Sequence, residues 1–170
     1  MSKKAVFIIA QNRFQDQELL DTKKVLDGHG VETKIAAKTR DAALGKLGTT
    51  INPDLSLAEV DISKIDALIF IGGPGAFVYF DDQEVLGLAR EAYKKNKILG
   101  AICVASSILA NAGILIGKTV TGFPTEEQNL KNRGADYTGM QTEVDGKIVT
   151  AIDPSAANEF GQKLVYLLGE

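Results

Sequence analysis

The chain has 170 residues, of which 45% are hydrophobic, and this is enough for one domain with a complete core. Its 19 Lys and Arg residues and 22 Asp and Glu residues give a net charge of -3. We find no block of basic residues that would follow a phosphate backbone, and no apolar run near the roughly 20 residues that cross a bilayer. We therefore predict a single domain over residues 1–170 that binds neither nucleic acid nor a membrane.

The first predicted element is a strand at residues 5–10. This apolar run follows Lys3 and Lys4, as in a secretory signal, but it has only six residues and is shorter than the apolar region of such a signal. The chain has one cysteine, which excludes an internal disulfide. A cytoplasmic location is the prediction that follows.

The next elements alternate between apolar runs and helix-length segments. Asp145-Gly146, between two alternating runs at 143–150, predicts a hairpin. Further strands are predicted at residues 31–37, 67–71 and 97–102, and amphipathic helices at residues 16–27, 83–96 and 156–168. This order is typical of βαβ units. The predicted fold is an α/β three-layer sandwich with a mainly parallel, flavodoxin-like sheet.

Cys103 is the first candidate functional residue. It follows the strand at 97–102 directly, is flanked by small residues, and leads into a helix, which resembles a nucleophile elbow with Cys in place of Ser. The N-terminus of a helix favours a thiolate. The alternative is that Cys103 is a small apolar residue of the core.

A glycine-rich turn, Gly72-Gly73-Pro74-Gly75, follows the strand at 67–71. Parallel sheets gather their ligand sites at the carboxyl ends of the strands, so this turn and Cys103 are expected at one edge. The backbone N–H groups of Gly73 and Val104 would then form an oxyanion hole beside the cysteine. The alternative is a turn without a catalytic role.

These motifs, together with Glu18 in the first helix, resemble the DJ-one/ThiJ/PfpI superfamily, and residues 148–160 resemble its C-terminal segment. The resemblance covers nearly the whole chain. It implies the fold of class I glutamine amidotransferases, a homodimer, and a contact between the Glu18 carboxyl and the Cys103 sulfur.

The predicted state of Glu18 follows from its charge. An ionised carboxylate raises the pKa of a neighbouring thiol, so an acidic Cys103 requires a protonated Glu18 that donates a hydrogen bond to sulfur. The alternative is that Glu18 is an ordinary acid in a first helical turn, where the helix dipole favours it.

The sequence departs from the family where other members carry histidine. Val104 follows the cysteine directly, and Phe123 occupies the other usual position. The single histidine, His29, lies at the end of the first helix and is predicted to be structural or solvated. Because a peptidase must protonate its leaving amine, these departures disfavour peptidase or amidase activity.

Three functional hypotheses remain. The first is an enzyme of the glyoxalase or deglycase kind, which acts on small reactive carbonyls through Cys103 and Glu18 without cofactor or metal. The second is a redox-responsive protein whose Cys103 is oxidised by a small oxidant. The third is an inactive or chaperone-like dimer, in which the three aromatic residues after the glycine turn line a pocket or an interface; they are Phe77, Tyr79 and Phe80.

Two further features are assigned no function. Residues 112–119 match a loose phosphate-loop pattern, but a helix precedes them and a strand follows, the reverse of the order that binds phosphate. Glu126 and Glu127 are predicted to be solvated surface residues.

Overall fold

The elements of the protein follow the predicted order, with ends that differ from the prediction by one or two residues. The computed structural model describes residues 1–169. The strands are β1 (Lys4–Ile8), β2 (Asn12–Phe14), β3 (Glu32–Ala37), β4 (Ala43–Gly45), β5 (Thr50–Ile51), β6 (Leu55–Ser56), β7 (Ala67–Phe70), β8 (Ile98–Ile102), β9 (Thr119–Val120), β10 (Asp136–Tyr137), β11 (Thr142–Asp145) and β12 (Ile148–Ala151). The α-helices are α1 (Asp16–Gly28), α2 (Gln83–Lys94), α3 (Ser106–Asn111), α4 (Glu127–Asn132) and α5 (Ala157–Leu168).

Seven strands form the central sheet, in the order β11-β12-β8-β7-β1-β3-β6. All neighbours are parallel except the β11–β12 hairpin, which turns at the predicted Asp145-Gly146 pair. The strand order reverses direction beside β1, as in doubly wound sheets. The predicted mainly parallel, flavodoxin-like sheet is confirmed.

Helices cover both faces of this sheet, because the central strands are apolar on both sides. In β1, Phe7 points into a core shared with α1 and α5, whereas Val6 and Ile8 point into a core shared with α2 and α3. The same alternation continues in β7 and β8. The three-layer sandwich is therefore confirmed. Within residues 1–169 we find no helix long and apolar enough to cross a bilayer.

The first helix begins at the edge of the sheet where β1 ends. Gln15 precedes it and its side-chain oxygen accepts a hydrogen bond from the Glu18 N–H at 3.1 Å, which is the usual way to satisfy a free donor at a helix start. This cap fixes Glu18 in the first turn. The Glu18 side chain is completely buried, with 0% of its surface exposed.

Two small sheets lie outside the central one, and of their strands the sequence predicted just the one that begins at Thr119. The first contains β2, β4 and β5, and the second contains β9 and β10. Their strands have two or three residues each, which is too short for an alternating pattern to be recognised. The first of these sheets flanks the carboxyl ends of the central strands through β2, which follows β1.

Candidate active site

The site begins at the end of β8, where the backbone turns sharply at Cys103. Cys103 has a positive φ of 63°, a conformation that costs a non-glycine residue about 1–3 kcal/mol. A single 3-10 turn, Cys103–Ala105, then leads into α3. The Cys103 carbonyl oxygen accepts hydrogen bonds from the Ser106 hydroxyl at 3.0 Å and the Phe123 N–H at 3.1 Å, and these two bonds hold the strained residue.

The glycine turn after β7 permits a close approach between two buried side chains. A Cβ atom on Gly72 would lie 2.8 Å from Glu18 Oε1 and 2.9 Å from the Cys103 Cβ. Gly73 has a φ of 103°, and a Cβ there would lie 2.5 Å from the Gln15 nitrogen. A side chain at Gly72 would therefore separate the thiol from the carboxyl, and one at Gly73 would collide with the backbone before α1.

Glu18 reaches this point from α1. Its Oε1 accepts a hydrogen bond from the Gly72 N–H at 2.9 Å, while Oε2 has no fully formed hydrogen bond among the described residues. Burial raises the pKa of Glu18 to about 7, against the opposing effects of the Gly72 N–H and the Cys103 thiol. Near neutral pH, the Glu18 carboxyl is therefore ionised in part of the molecules and neutral in the rest.

The Cys103 thiol is less acidic than the elbow alone suggested. Burial raises the pKa of Cys103, and the Glu18 charge raises it further. The nearby N–H groups of Val104 and Gly73 act in the opposite direction and lower the pKa of the thiol. Because only 6% of Cys103 is exposed, burial outweighs these donors, and the expected low pKa is not found. The resting state holds a neutral thiol beside an ionisable carboxyl.

The structure thus brings together all four residues that the sequence singled out: Cys103, Glu18, Gly73 and Val104. Their roles in a reaction stay predictions. The Phe123 backbone N–H donates to the Cys103 carbonyl oxygen, and the Phe123 side chain packs against the apolar core that contains Cys103. His29 lies at the far end of α1, where its Nδ1 is 2.9 Å from the Val25 carbonyl oxygen.

Neither a cluster of metal ligands nor a phosphate-binding loop is found among residues 1–169. In residues 1–169 there is no group of three or more His, Cys, Asp or Glu side chains that would hold a metal ion. The segment 112–119 runs from the end of α3 into β9, and the Thr119 N–H already donates to an Asp145 carboxylate oxygen at 2.8 Å. This segment therefore has the predicted order, helix then strand.

Sequence reasoning missed one buried residue near the site. Glu126 was expected at the surface, but only 7% of it is exposed. Its carboxylate accepts hydrogen bonds from the Ser107 hydroxyl at 2.7 Å and the Thr125 hydroxyl at 2.8 Å. The prediction for Glu127 is correct, since its side chain is 44% exposed and pairs with Lys131. The sequence carries no signal that separates these two glutamates, because the partner Ser107 is distant along the chain.

The aromatic residues after the glycine turn differ in how far they are exposed to solvent. Phe77 is exposed and packs against Phe80, with ring centroids 4.9 Å apart. Tyr79 is buried, and its hydroxyl donates to the Ile9 carbonyl oxygen at 2.9 Å. Tyr79 therefore anchors the turn to the residue that follows β1, and together with Gly75 and Val78 it lines a cavity.

A doubly wound α/β sheet with a buried cysteine on a strained elbow, beside a buried carboxyl, defines a class of cysteine-centred α/β proteins. Within that class, the DJ-1/PfpI family model matches residues 3–167. The chain belongs to this family.

Individual relatives agree with the family match. The chain is 33% identical over 165 residues to an uncharacterized protein of Methanocaldococcus jannaschii, covering 95% of this chain and 80% of that protein. It is 29% identical over 163 residues to a protein of Thermococcus kodakarensis named as a deglycase, covering 96% and 98% of the two chains. A crystal structure of a ThiJ/PfpI domain protein from Brachyspira murdochii superposes with a TM-score of 0.96 at 32% identity, covering 99% and 97% of the chains.

Proposed function

We propose that the protein is a cofactor-independent enzyme of the glyoxalase or deglycase kind that acts on small reactive carbonyl compounds. Cys103 is the nucleophile, Glu18 transfers protons, and the N–H groups of Gly73 and Val104 stabilise the oxyanion. The observation that carries this proposal is the meeting of Glu18 and Cys103 at the glycine turn, where a Cβ on Gly72 would lie 2.8 Å from Glu18 Oε1 and 2.9 Å from the Cys103 Cβ. A deglycase among the relatives supports the same class of substrate.

The first step is the addition of the thiol to an aldehyde. Ionised Glu18 takes the proton from the Cys103 thiol as the sulfur bonds to the aldehyde carbon, and the carbonyl π electrons move to oxygen. The Gly73 and Val104 N–H groups stabilise the resulting oxyanion. Glu18 then returns the proton to that oxygen, which gives a neutral hemithioacetal.

The second step moves a proton between neighbouring carbons. For methylglyoxal, Glu18 removes the proton from the former aldehyde carbon, and an enediolate forms with its charge on the neighbouring oxygen. The hydroxyl proton moves from the first oxygen to the second, and Glu18 delivers its proton to the adjacent carbon, which gives a thioester of lactic acid. Water then hydrolyses this thioester and releases lactate and the free thiol, so the overall reaction adds one water to methylglyoxal. One carboxyl serves both proton transfers at carbon, and the chemistry requires no histidine.

The proposal is tested by measuring lactate formation from methylglyoxal by the purified, metal-free protein. We expect many turnovers per molecule, and none for a Cys103→Ala variant that unfolds at a similar temperature. An absence of turnover in the wild-type protein contradicts the proposal.

A second candidate function is a response to oxidants through Cys103. The hydrogen-bond donors near the sulfur favour this function too. Oxidation by a peroxide converts the thiol to a sulfenic acid and water, and a second peroxide gives the sulfinic acid. A protonated Glu18 and the two N–H groups would donate to the sulfinate oxygens. The chain has no second cysteine, so no internal disulfide competes. Here Cys103 reacts once per molecule, and mass spectrometry of peroxide-treated protein would show the gain of two oxygen atoms at this residue.

A further inference from the structure

The strained backbone at Cys103 depends on a segment that is distant in sequence. We name residues 123–126 the strap. One end of the strap supplies the Phe123 N–H that donates to the Cys103 carbonyl oxygen at 3.1 Å. Within the strap, the Glu126 N–H donates to the Phe123 carbonyl oxygen at 2.8 Å, which closes a 3-10 turn begun by Pro124. The position of the Phe123 N–H is therefore tied to the position of Glu126.

The other end of the strap is fixed to the elbow helix by the Glu126 side chain. Its Oε1 accepts from the hydroxyl of Ser107, in the first turn of α3, at 2.7 Å, and its Oε2 accepts from Thr125 at 2.8 Å. The Ser107 oxygen also accepts from the Asn129 side chain at 3.0 Å. The strap thus contacts the elbow twice, once at Cys103 and once at Ser107.

The same network reaches the glycine turn. Asn129 donates to the side-chain oxygen of Asn111 at 3.0 Å, and Asn111 donates to the Phe80 carbonyl oxygen at 3.0 Å. Phe80 ends the turn that begins after Gly73. The half-buried amides of Asn111 and Asn129 and the Glu126 carboxylate therefore connect the two backbone segments that carry the N–H donors of the site.

Retention of an acid at position 126 has an energetic cost. Glu126 is nine-tenths buried and forms no salt bridge among the described residues, and burial of a carboxylate without a cation is unfavourable unless hydrogen bonds satisfy it. An apolar residue would fill the same space at lower cost, but it would leave the Ser107 hydroxyl without its acceptor. The Glu126 carboxylate therefore fixes the position of the strap and does not increase the net stability of the fold.

We propose that Glu126 is a positioning residue, which holds the strap on the elbow through Ser107 and so keeps Cys103 in its left-handed conformation with the Val104 N–H directed at the sulfur. This proposal rests on the proposed role of Cys103 as the reacting group. Glu126 itself touches neither the sulfur nor the substrate.

The test compares three variants: Glu126→Ala, Glu126→Gln and Glu127→Ala. Glu127→Ala is the matched control, because Glu127 is the next residue and pairs only with exposed Lys131. For each protein we would measure the rate constant for alkylation of Cys103 by iodoacetamide at pH 8, and kcat/KM for methylglyoxal. We expect both to fall about tenfold in Glu126→Ala, since a hydrogen bond to a charged group is lost. They should stay within about twofold of wild type in Glu126→Gln, whose amide oxygen still accepts from Ser107.

The alkylation rate separates positioning from a purely structural role. If Glu126 only stabilised the fold, Glu126→Ala would lower the unfolding temperature and leave the alkylation constant of the folded protein unchanged. If it only shielded the thiol, alkylation would become faster. Either result overturns the proposal. Should Glu126→Ala fail to fold, Ser107→Ala removes the same contact from the other side and is expected to slow alkylation equally. A wild-type protein without turnover would contradict the proposed function, while alkylation would still test the strap.

Discussion

At the scale of single residues, Glu18 and Cys103 act on each other. Burial raises the pKa of Glu18 to about 7, and burial together with the Glu18 charge raises the pKa of the Cys103 thiol. The two groups therefore share protons as a coupled pair. The raised pKa of the thiol favours a neutral resting Cys103, and in the proposed reaction Glu18 is the base that activates it.

This pair predicts how activity depends on pH. Only ionised Glu18 accepts the thiol proton, so kcat/KM for methylglyoxal should rise with pH through a midpoint near 7. In Glu18→Gln, activity should fall at least a hundredfold and lose this midpoint. Glu127→Gln, an exposed glutamate on the same protein, should keep the wild-type profile. A rate that falls as pH rises through 7 would show that Glu18 acts in its protonated form.

The raised pKa of Glu18 also predicts a change in stability with pH. Between its ordinary value of 4.5 and about 7, the folded protein holds a proton that the unfolded chain has released. Stability therefore falls as pH rises through this window, by about 3 kcal/mol at most.

Urea unfolding at pH 5 and pH 8 checks this prediction. From pH 5 to pH 8, the free energy of unfolding of the wild-type protein should fall relative to that of Glu18→Gln. The side-chain amide of this variant has no proton to release in this range, and all other titratable groups are common to both proteins. A difference between the two proteins that stays constant with pH would contradict the raised pKa.

At the scale of elements, the glycine turn is what allows α1 and the elbow to meet. A Cβ on Gly72 would lie 2.8 Å from both Glu18 Oε1 and the Ile102 carbonyl oxygen. We expect Gly72→Ala to destabilise the fold by about 2 kcal/mol and to abolish turnover, because the carboxyl must move away from the thiol. Thermal unfolding and the methylglyoxal assay measure the two effects.

Gly87→Ala is the matched control for this substitution. Gly87 lies inside α2, and a Cβ there meets nothing within 4 Å. Alanine stabilises a helix interior relative to glycine by roughly 1 kcal/mol, so this variant should be slightly more stable and fully active. Similar losses in Gly72→Ala and Gly87→Ala would contradict the steric argument.

The elements also show how far the sequence determines the fold and the site. The strands β1, β7 and β8 are continuous apolar runs, and α2 has a clear apolar face, so periodicity predicts them. The short strands β2 and β4 exist only because the folded chain pairs them. Cys103 and Gly73 were predicted because local backbone geometry demands particular residue types there. The burial of Glu126 depends on Ser107, a tertiary contact that no local pattern encodes.

At the scale of the whole molecule, one sheet separates two apolar cores, and each core uses side chains from the same strands. Loss of either core exposes a face of that sheet. We therefore expect residues 1–170 to unfold as one domain in a single cooperative transition. Circular dichroism and cysteine accessibility should report the same midpoint in urea, and two separate midpoints would contradict a single domain.

The surface around the site predicts a homodimer. Leu44, Leu47, Phe77 and Val78 are large apolar side chains exposed on β4 and on the two turns beside it. Residue Leu44 of β4 lies opposite Asn12 of β2, and β2 packs on the turn that carries Phe77. Exposed apolar side chains therefore lie on neighbouring elements beside the candidate site, and exposed apolar surfaces of proteins often bind a partner.

Sedimentation of the wild-type protein should show a dimer at micromolar concentration, and Val78→Lys should shift it toward the monomer, because a charge would be buried at the interface. Ile116→Lys is the matched control: Ile116 is 71% exposed, close to the 68% of Val78, but lies against Gly134 on another part of the molecule. The control should remain dimeric. A wild-type monomer would contradict the predicted homodimer, and a dimer that Ile116→Lys disrupts and Val78→Lys does not would place the interface elsewhere. If the monomeric Val78→Lys variant keeps its methylglyoxal activity, each subunit contains a complete site.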